Sequence, residues 1–462
     1  MTFPFVARLF PGLSPRAATA VLAIAGVGVW MRIHNAASYP PDWGFDATFN
    51  WSYIARLGRD FSLPHPAASW ATADPPLYFY ASALLLRACE ALGSQATALL
   101  AVPLLGSAAG LGIVAIAVAF ARRSAPDDPQ RALLAGGLLL FLPAHIYMSV
   151  MVNEEIVCAF FTALALYALT APTADSDPAA AGGGWRRAVR VGLPAGLAVL
   201  TKLTGALVVV NAAATLAIEG LRERRVGRAV TQIAVLGAAA MLAGGWYFAR
   251  NQVLYGYIQP FGLPAHQIMF ELPPGERSLL DFVVVPLATF TDPQLLNPDL
   301  LRSVWGGTYA TLWFDGHRSF LPLESVGVNR LGTAVLVLAL LPSAAFALGL
   351  LRGVRRVLVS PSGPDVALIL CCALTLGGYA TFNARNPWYT VVKGTSLLAM
   401  CLPFAWYASG ELIAWSRRGR RAALCIWLSL ALLAAGSTAA STFGLAFEKT
   451  EVAGLPWQQA EP

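Results

Sequence analysis

Long apolar runs, separated by short polar stretches rich in arginine, recur from one end of the chain to the other. A helix crossing the hydrocarbon core of a bilayer needs roughly 17–25 mainly apolar residues. Runs near that length fall at 17–33, 97–121, 131–150, 155–171, 229–249, 331–351, 365–382, 395–414 and 422–443. The run 191–218 is interrupted by Thr201-Lys202-Leu203-Thr204-Gly205 and flanked by arginine clusters, so it reads as two short spans with a turn at Lys202. The pattern predicts an all-α polytopic membrane protein of about 11 transmembrane helices, with 1–462 as a single domain and no internal repeat.

Basic residues are retained on the cytoplasmic side of spans, and this fixes the orientation. The run 76–92 is apolar but short, and it carries Arg87 and Glu90. If it lies on the surface, Arg122/Arg123/Arg131, Arg186/Arg187/Arg190, Arg222/Arg224/Arg225/Arg228, Arg352/Arg355/Arg356 and Arg417/Arg418/Arg420/Arg421 all share the side of the amino terminus. If it crosses, all of them move outside. The run is therefore expected to be an amphipathic juxtamembrane helix in a first outer loop, 34–96, with the amino terminus inside and the carboxyl terminus outside. A second long outer loop covers 250–330, and the two loops carry Trp43, Trp51, Trp70, Trp305 and Trp313. The low-complexity run 179–184 reads as a flexible inner loop. The first span follows Arg8 and Arg16 with only a poor cleavage site at 35–38, so it reads as a retained signal anchor.

Composition agrees: with 57% hydrophobic and 12% charged residues, a soluble surface would have too little polar side chain to cover its core. The net charge of +7 does not point to nucleic acid, because the arginines sit between apolar runs and not on an aromatic-interleaved face. The 6 cysteines lie mostly inside apolar runs and read as free thiols. His34, His65, His145, His266 and His317 have no metal-ligand spacing, and Asp315-Gly316-His317 reads as a turn. No metal site is assigned. No phosphate-cradling loop or dinucleotide fingerprint is present.

Candidate chemistry gathers at the outer ends of spans. Asp42, Asp46 and Asp74 lie in an aromatic-rich first outer loop, where a carboxylate suits a general base or a metal ligand; Asp42 alone reads as a solvated loop residue. Glu154 and Glu155 follow Asn153 at an outer turn and head a helix, whose dipole favours them. The chain's lysines are Lys202, Lys393 and Lys449, and the first two lie at outer span ends against the positive-inside bias. Arg250 and Arg385 occupy equivalent positions, the latter in Asn383-Ala384-Arg385-Asn386-Pro387-Trp388-Tyr389. Snorkelling explains any one of these; four together suit an anionic lipid headgroup or a phosphate.

The ordered set Phe45-Asp46, Pro75-Pro76-Leu77-Tyr78, Asn153-Glu154, Leu200-Thr201-Lys202, Arg250-Asn251 with Leu254-Tyr255-Gly256, and Lys393-Gly394 resembles the GT-C superfamily of lipid-phosphate-dependent glycosyltransferases. That superfamily includes protein O-mannosyltransferases and aminoarabinose transferases. Many relatives have histidine where this chain has Asn50 and Asp74. The resemblance implies a polyprenyl- or dolichyl-phosphate-linked sugar donor, membrane lipids as surroundings, and a glycan, lipid or protein acceptor on the outer or periplasmic face of a bacterial inner membrane. It implies Asp46 as base or acceptor orienter and Glu154 as its partner. Lys202, Arg250, Arg385 and Lys393 would surround the donor phosphate, with Asp42, Asp74, Glu155 and Tyr389 as secondary candidates. Transfer of a hexose or pentose would invert the anomeric centre. The resemblance fixes no cofactor, and a divalent cation is admissible. The competing readings are a transporter or flippase of lipid-linked glycans, expected to show buried ionisable residues and broken helices, and a polytopic glycan polymerase or ligase.

Overall fold

A computed structural model describes residues 14–93, 95–172, 183–259, 272–322, 325–360 and 363–444, with backbone alone at 95–98 and 183. His266, Lys449 and the run 179–182 fall outside these residues. Among the described residues every regular element is helical, apart from an isolated bridge between Pro274 and Trp388.

In chain order the principal helices are α1 (Pro15–Ser38), α2 (Ala47–Asp60), α3 (Leu77–Ala91), α4 (Gln95–Ser124), α5 (Pro129–Leu140), α6 (Pro143–Met148), α7 (Glu155–Leu169) and α8 (Gly183–Thr201). There follow α9 (Ala206–Arg222), α10 (Val226–Ala240), α11 (Trp246–Tyr255), α12 (Val304–Trp313), α13 (Val326–Val359), α14 (Gly363–Arg385), α15 (Cys401–Ser416) and α16 (Arg420–Ser441). A π-helical turn, Met241–Gly245, carries α10 straight into α11. Eight helical segments are long and apolar enough to cross a membrane: Pro15–Ser38, Leu99–Ser124, Leu203–Arg222, Val226–Tyr255, Val326–Val359, Gly363–Arg385, Tyr389–Ser416 and Arg420–Ser441. α7 is apolar but shorter, and α8 carries Arg186, Arg187 and Arg190 in its first turns. The chain is thus an integral membrane protein.

Two apolar runs are broken inside, the first against expectation and the second as expected. The run 131–150 is broken into α5 and α6, because Pro143 cannot donate to the preceding turn and holds Leu142 in an extended conformation (φ −74°, ψ 116°). Breaking a helix strands carbonyls, and Arg32 of α1 supplies donors: its guanidinium bonds Leu140 O at 3.3 Å, Gly28 O at 2.9 Å and His145 Nδ1 at 2.7 Å. Arg32 and His145 are both fully buried. The run 191–218 bends at Lys202, whose extended backbone (φ −154°, ψ 140°) separates α8 from α9 as the sequence suggested.

The helix ends sort by charge. Arg187–Glu219, Arg352–Glu411, Arg356–Asp365 and Arg417–Asp128 tie one end of the bundle together. Lys202–Glu154 and Lys393–Asp46 lie at the other, where α1 ends and α7 begins.

Candidate active site

The site is assembled from chain segments far apart in sequence. After α1 the backbone turns sharply through Gly44 (φ +108°) and Asp46 (φ +58°) before α2 starts. The left-handed region suits glycine, and aspartate tolerates it better than most residues. A side chain at position 44 would strike Met151, so this turn is fitted onto the turn that precedes α7. Asn153 Nδ2 donates to Phe45 O at 3.3 Å and fastens the two turns. Asp46 stands at the N-cap of α2 without a side-chain capping bond, which leaves its carboxylate available.

Lys393 reaches that carboxylate, with Nζ 3.3 Å from Asp46 Oδ2 and 4.6 Å from the centre of the Phe45 ring. It is positioned by Gly394, whose N–H donates to Thr311 Oγ1 at 2.7 Å and whose α-carbon packs so close to the Leu312 backbone that a β-carbon would not fit. Desolvation works to raise the Asp46 carboxyl, but the ammonium groups of Lys393 and Lys202 outweigh it and hold it below the usual carboxylate range. The Asp46 side chain retains 37% exposure, enough for an incoming group to touch it.

Lys202 Nζ donates to Glu154 Oε1 at 2.5 Å and to Glu155 Oε1 at 3.2 Å. Burial disfavours its charge, yet Glu154, Glu155 and Asp74 overcome that and raise its pKa well above the ordinary lysine value. Glu154 is 3% exposed, and its second oxygen accepts from Asn50 Nδ2 at 3.3 Å. Asn50 Nδ2 also donates to Val152 O at 3.0 Å, so the residue joins α2 to the head of α7. Asp74 ends the turn Ala71–Ala73 just before Pro75-Pro76 opens α3. Burial, then repulsion from Glu154, pushes its carboxyl up to about 8, against the attraction of Lys202.

The sequence-predicted residues divide. Asp46, Asp74, Glu154, Glu155, Lys202 and Lys393 form one charge cluster. Arg250 sits beside it, where Tyr53 feels both Arg250 and Asp74; its guanidinium bonds Tyr255 OH at 3.2 Å, Leu63 O at 3.4 Å and Asn251 Oδ1 at 3.1 Å, all neutral groups. Arg385 is exposed at the end of α14, and no ion pair joins it to a described residue. Asp42 contributes a backbone carbonyl to Thr48 Oγ1 and is half-buried. Tyr389 lies against Val392 and, through its ring, 6.2 Å from His317.

Three contributors escaped the sequence reading as site residues: Asn50, Phe45 and His317. His317 packs edge-on against Phe45 with ring centres 5.1 Å apart and bonds Val392 O at 3.0 Å. Burial and then Lys393 push its pKa down to about 3, so it is a neutral imidazole. The turn expected at 315–317 is real: Asp315 accepts from the N–H groups of Ser319, Phe320 and Leu321 at 3.0, 2.7 and 2.9 Å. That turn is what delivers His317 to the cluster. Among the described residues no three His, Cys, Asp or Glu side chains converge as a metal site.

A cavity of about 500 Å³ opens at the opposite end of the bundle, among Arg187, Glu219, Arg222, Arg225, Arg228 and Gln232. Glu219 is gripped by both Arg187 nitrogens, at 2.7 and 3.1 Å, and the exposed Glu223 also lines the cavity.

Residues 73–248 match the sequence model of the family described as dolichyl-phosphate-mannose-protein mannosyltransferase. No curated protein matches the sequence. The fold is similar to the archaeal oligosaccharyltransferase AglB from Archaeoglobus fulgidus, solved with an inhibitory peptide and a dolichol-phosphate: TM-score 0.52, 15% identity, 92% of this chain and 56% of that one. A second similar structure is ArnT from Cupriavidus metallidurans bound to undecaprenyl phosphate, with TM-score 0.41, 15% identity, and 87% and 80% of the two chains covered. The chain thus spans little more than half the length of AglB. Sequence over 73–248 and a membrane fold shared with AglB bear out the resemblance to the GT-C superfamily of glycosyltransferases.

Proposed function

We propose that this protein transfers a sugar from a polyprenyl-phosphate-linked donor to an acceptor at the end of the bundle that carries Asp46. The observation that carries the reading is the convergence of Asp46, Glu154, Glu155, Lys202 and Lys393 from separate helix ends onto one partly open spot. The family match supports glycosyl transfer, and the dolichol-phosphate bound to AglB supports a lipid-phosphate donor.

In the reaction an acceptor oxygen attacks the anomeric carbon while the bond from that carbon to the phosphate oxygen breaks. The acceptor proton passes to a carboxylate, with Asp46 the exposed candidate and Glu154 its buried partner, and the electron pair leaves on the phosphate. A single displacement inverts the anomeric centre. Arg250 and Arg385, which no carboxylate among the described residues neutralises, suit the leaving phosphate best. Lys202 and Lys393 hold the acids in place and can turn toward the phosphate as it leaves.

We place the cluster on the outer, periplasmic face of a bacterial inner membrane, with eleven spans, the amino terminus inside and 34–96 and 250–330 as outer loops. The positive-inside distribution of the arginine clusters supports this. Reporter fusions test it: one at Arg123 should read as cytoplasmic and one at Glu90 as external, and a cytoplasmic reading at Glu90 overturns the orientation.

A transporter reading draws on Arg32, a buried cation beside a broken helix. Its donors, however, serve Leu140 O at the break, Gly28 O in its own helix and a neighbouring histidine, which is a structural role. The functional test is transfer from a defined polyprenyl-phosphate sugar by purified protein in liposomes. Product is expected from wild type; movement of the intact donor across the bilayer without product would favour the transporter.

A further inference from the structure

The segment between α11 and α12 contains an aliphatic strip that neither the charge cluster nor the spans use. Over 279–287, Leu279, Leu280, Val283, Val284, Val285 and Leu287 are 88, 68, 74, 51, 48 and 75% exposed. Water does not tolerate such a density of uncovered aliphatic side chains without a partner.

The polar groups of the same segment turn the other way. Asp281 is buried, accepts from Ser278 N–H at 2.7 Å and pairs with Arg302 at 3.1 Å. Ser303 Oγ donates to Val284 O at 2.6 Å, tying the strip's backbone to the head of α12. The segment is therefore two-faced, polar toward the protein and aliphatic away from it.

Its height relative to the spans is fixed at both flanks. Before the strip, Pro274 bridges Trp388 and Pro273 O accepts from Tyr389 N–H at 2.9 Å, three to four residues beyond the end of α14. After it, Asp292 Oδ1 accepts from Asn329 Nδ2 at 3.0 Å, in the first turn of α13. Both anchors are ends of membrane-spanning helices, and Val326 at the start of α13 is itself 69% exposed. The strip is strung between the points where two spans leave the bilayer, continuous with their lipid-facing surface.

We infer that residues 279–287 lie in the bilayer interface on the same side as the Asp46 cluster, as a membrane-surface anchor whose partner is the acyl–headgroup boundary of that leaflet. The inference is independent of the sugar-transfer reading. It also holds the loop bearing His317 at a constant depth, since 272–322 is clamped at both ends.

The test uses the full-length protein in nanodiscs, with an environment-sensitive fluorescent amino acid incorporated at Val283 or Leu287, and at Glu276 as the exposed control in the same loop. Lipids carrying a quencher near the headgroup should cut emission at 283 and 287 at least twofold, with a blue shift, and leave 276 unchanged. Water-like, unquenched emission at 283 and 287 overturns the inference. So does blue-shifted emission that lipid quenchers do not touch, because a protein surface then covers the strip. A Val283→Asp/Leu287→Asp variant, which keeps the Asp281–Arg302 pair, should lose the quenching of a probe at Leu280.

Discussion

Ion pairs hold both ends of this bundle, and they are built differently. At the arginine end each cation meets one acid: Arg187 grips both oxygens of Glu219, Arg352 both of Glu411 and Arg356 both of Asp365, while Arg417 meets Asp128 through a single bond at 2.8 Å. At the Asp46 end a single ammonium, Lys202, serves Glu154 and Glu155 and also attracts Asp74. Glu155 Oε2 is buried there, with no hydrogen-bond partner among the described residues. These pairs match one cation to one acid, and their remaining capacity goes to neutral groups: Arg187 also bonds Leu169 O and Asp365 also accepts from Tyr407 OH. The lysine cluster has more acid than cation and holds unspent acceptor capacity, the condition a site needs before substrate arrives. Lysine's rotatable point charge suits that task where arginine's rigid fork would not.

The largest expected effect comes from removing the shared cation. Lys202→Met should leave Glu154 and Glu155 buried without compensation, costing about 3 kcal/mol of stability and most of the transfer activity. Thermal melting in detergent and initial transfer rates measure both. Lys202→Arg should recover much of the stability and little of the rate; full recovery of both would erase the distinction between lysine and fork.

A smaller effect concerns Asp74. Its carboxyl is raised to about 8 by burial and by Glu154, so the folded protein holds a proton that the unfolded chain releases near the ordinary carboxylate pKa. The stability this confers is complete below about pH 4 and is lost as pH rises toward 8. Asp74→Asn should therefore gain on wild type between pH 6 and pH 8.5, by roughly 2 to 3 kcal/mol. Parallel melting curves for the two proteins across that range would count against a proton on Asp74.

Next comes Asn50→Ala, which removes the bonds to Val152 O and Glu154 Oε2 and should cost about 1 kcal/mol while raising the sensitivity of transfer to pH. The smallest effect is expected at the other end: Arg356→Gln breaks an exposed fork and should change stability by less than about 1 kcal/mol and transfer not at all. A larger loss of transfer there than at Asn50 would reverse the comparison.

Eight of the expected spans were legible because apolar length is a local signal, and the bend at Lys202 because one lysine inside an apolar run leaves few alternatives. The acids and lysines were legible as residues at span ends. Their pairing was not, since Lys393 and Asp46 are 347 residues apart and no periodicity relates them. The break at Pro143 was not legible, because the run 131–150 is mainly apolar along its length, and its bond to Arg32 joins residues 108 positions apart. His317 was read correctly as part of a turn, but where the turn points depends on Val392 and Phe45, which only the fold supplies.

The most direct measurement compares three proteins in one proteoliposome preparation, supplied with a defined polyprenyl-phosphate sugar and its acceptor: wild type, Asp46→Asn, and Asp365→Asn from the fork at the far end. Equal transfer by wild type and Asp365→Asn, with Asp46→Asn reduced about 100-fold or more at unchanged melting temperature, is the expected result. Normal turnover by Asp46→Asn would contradict the assignment of chemistry to the lysine–carboxylate cluster.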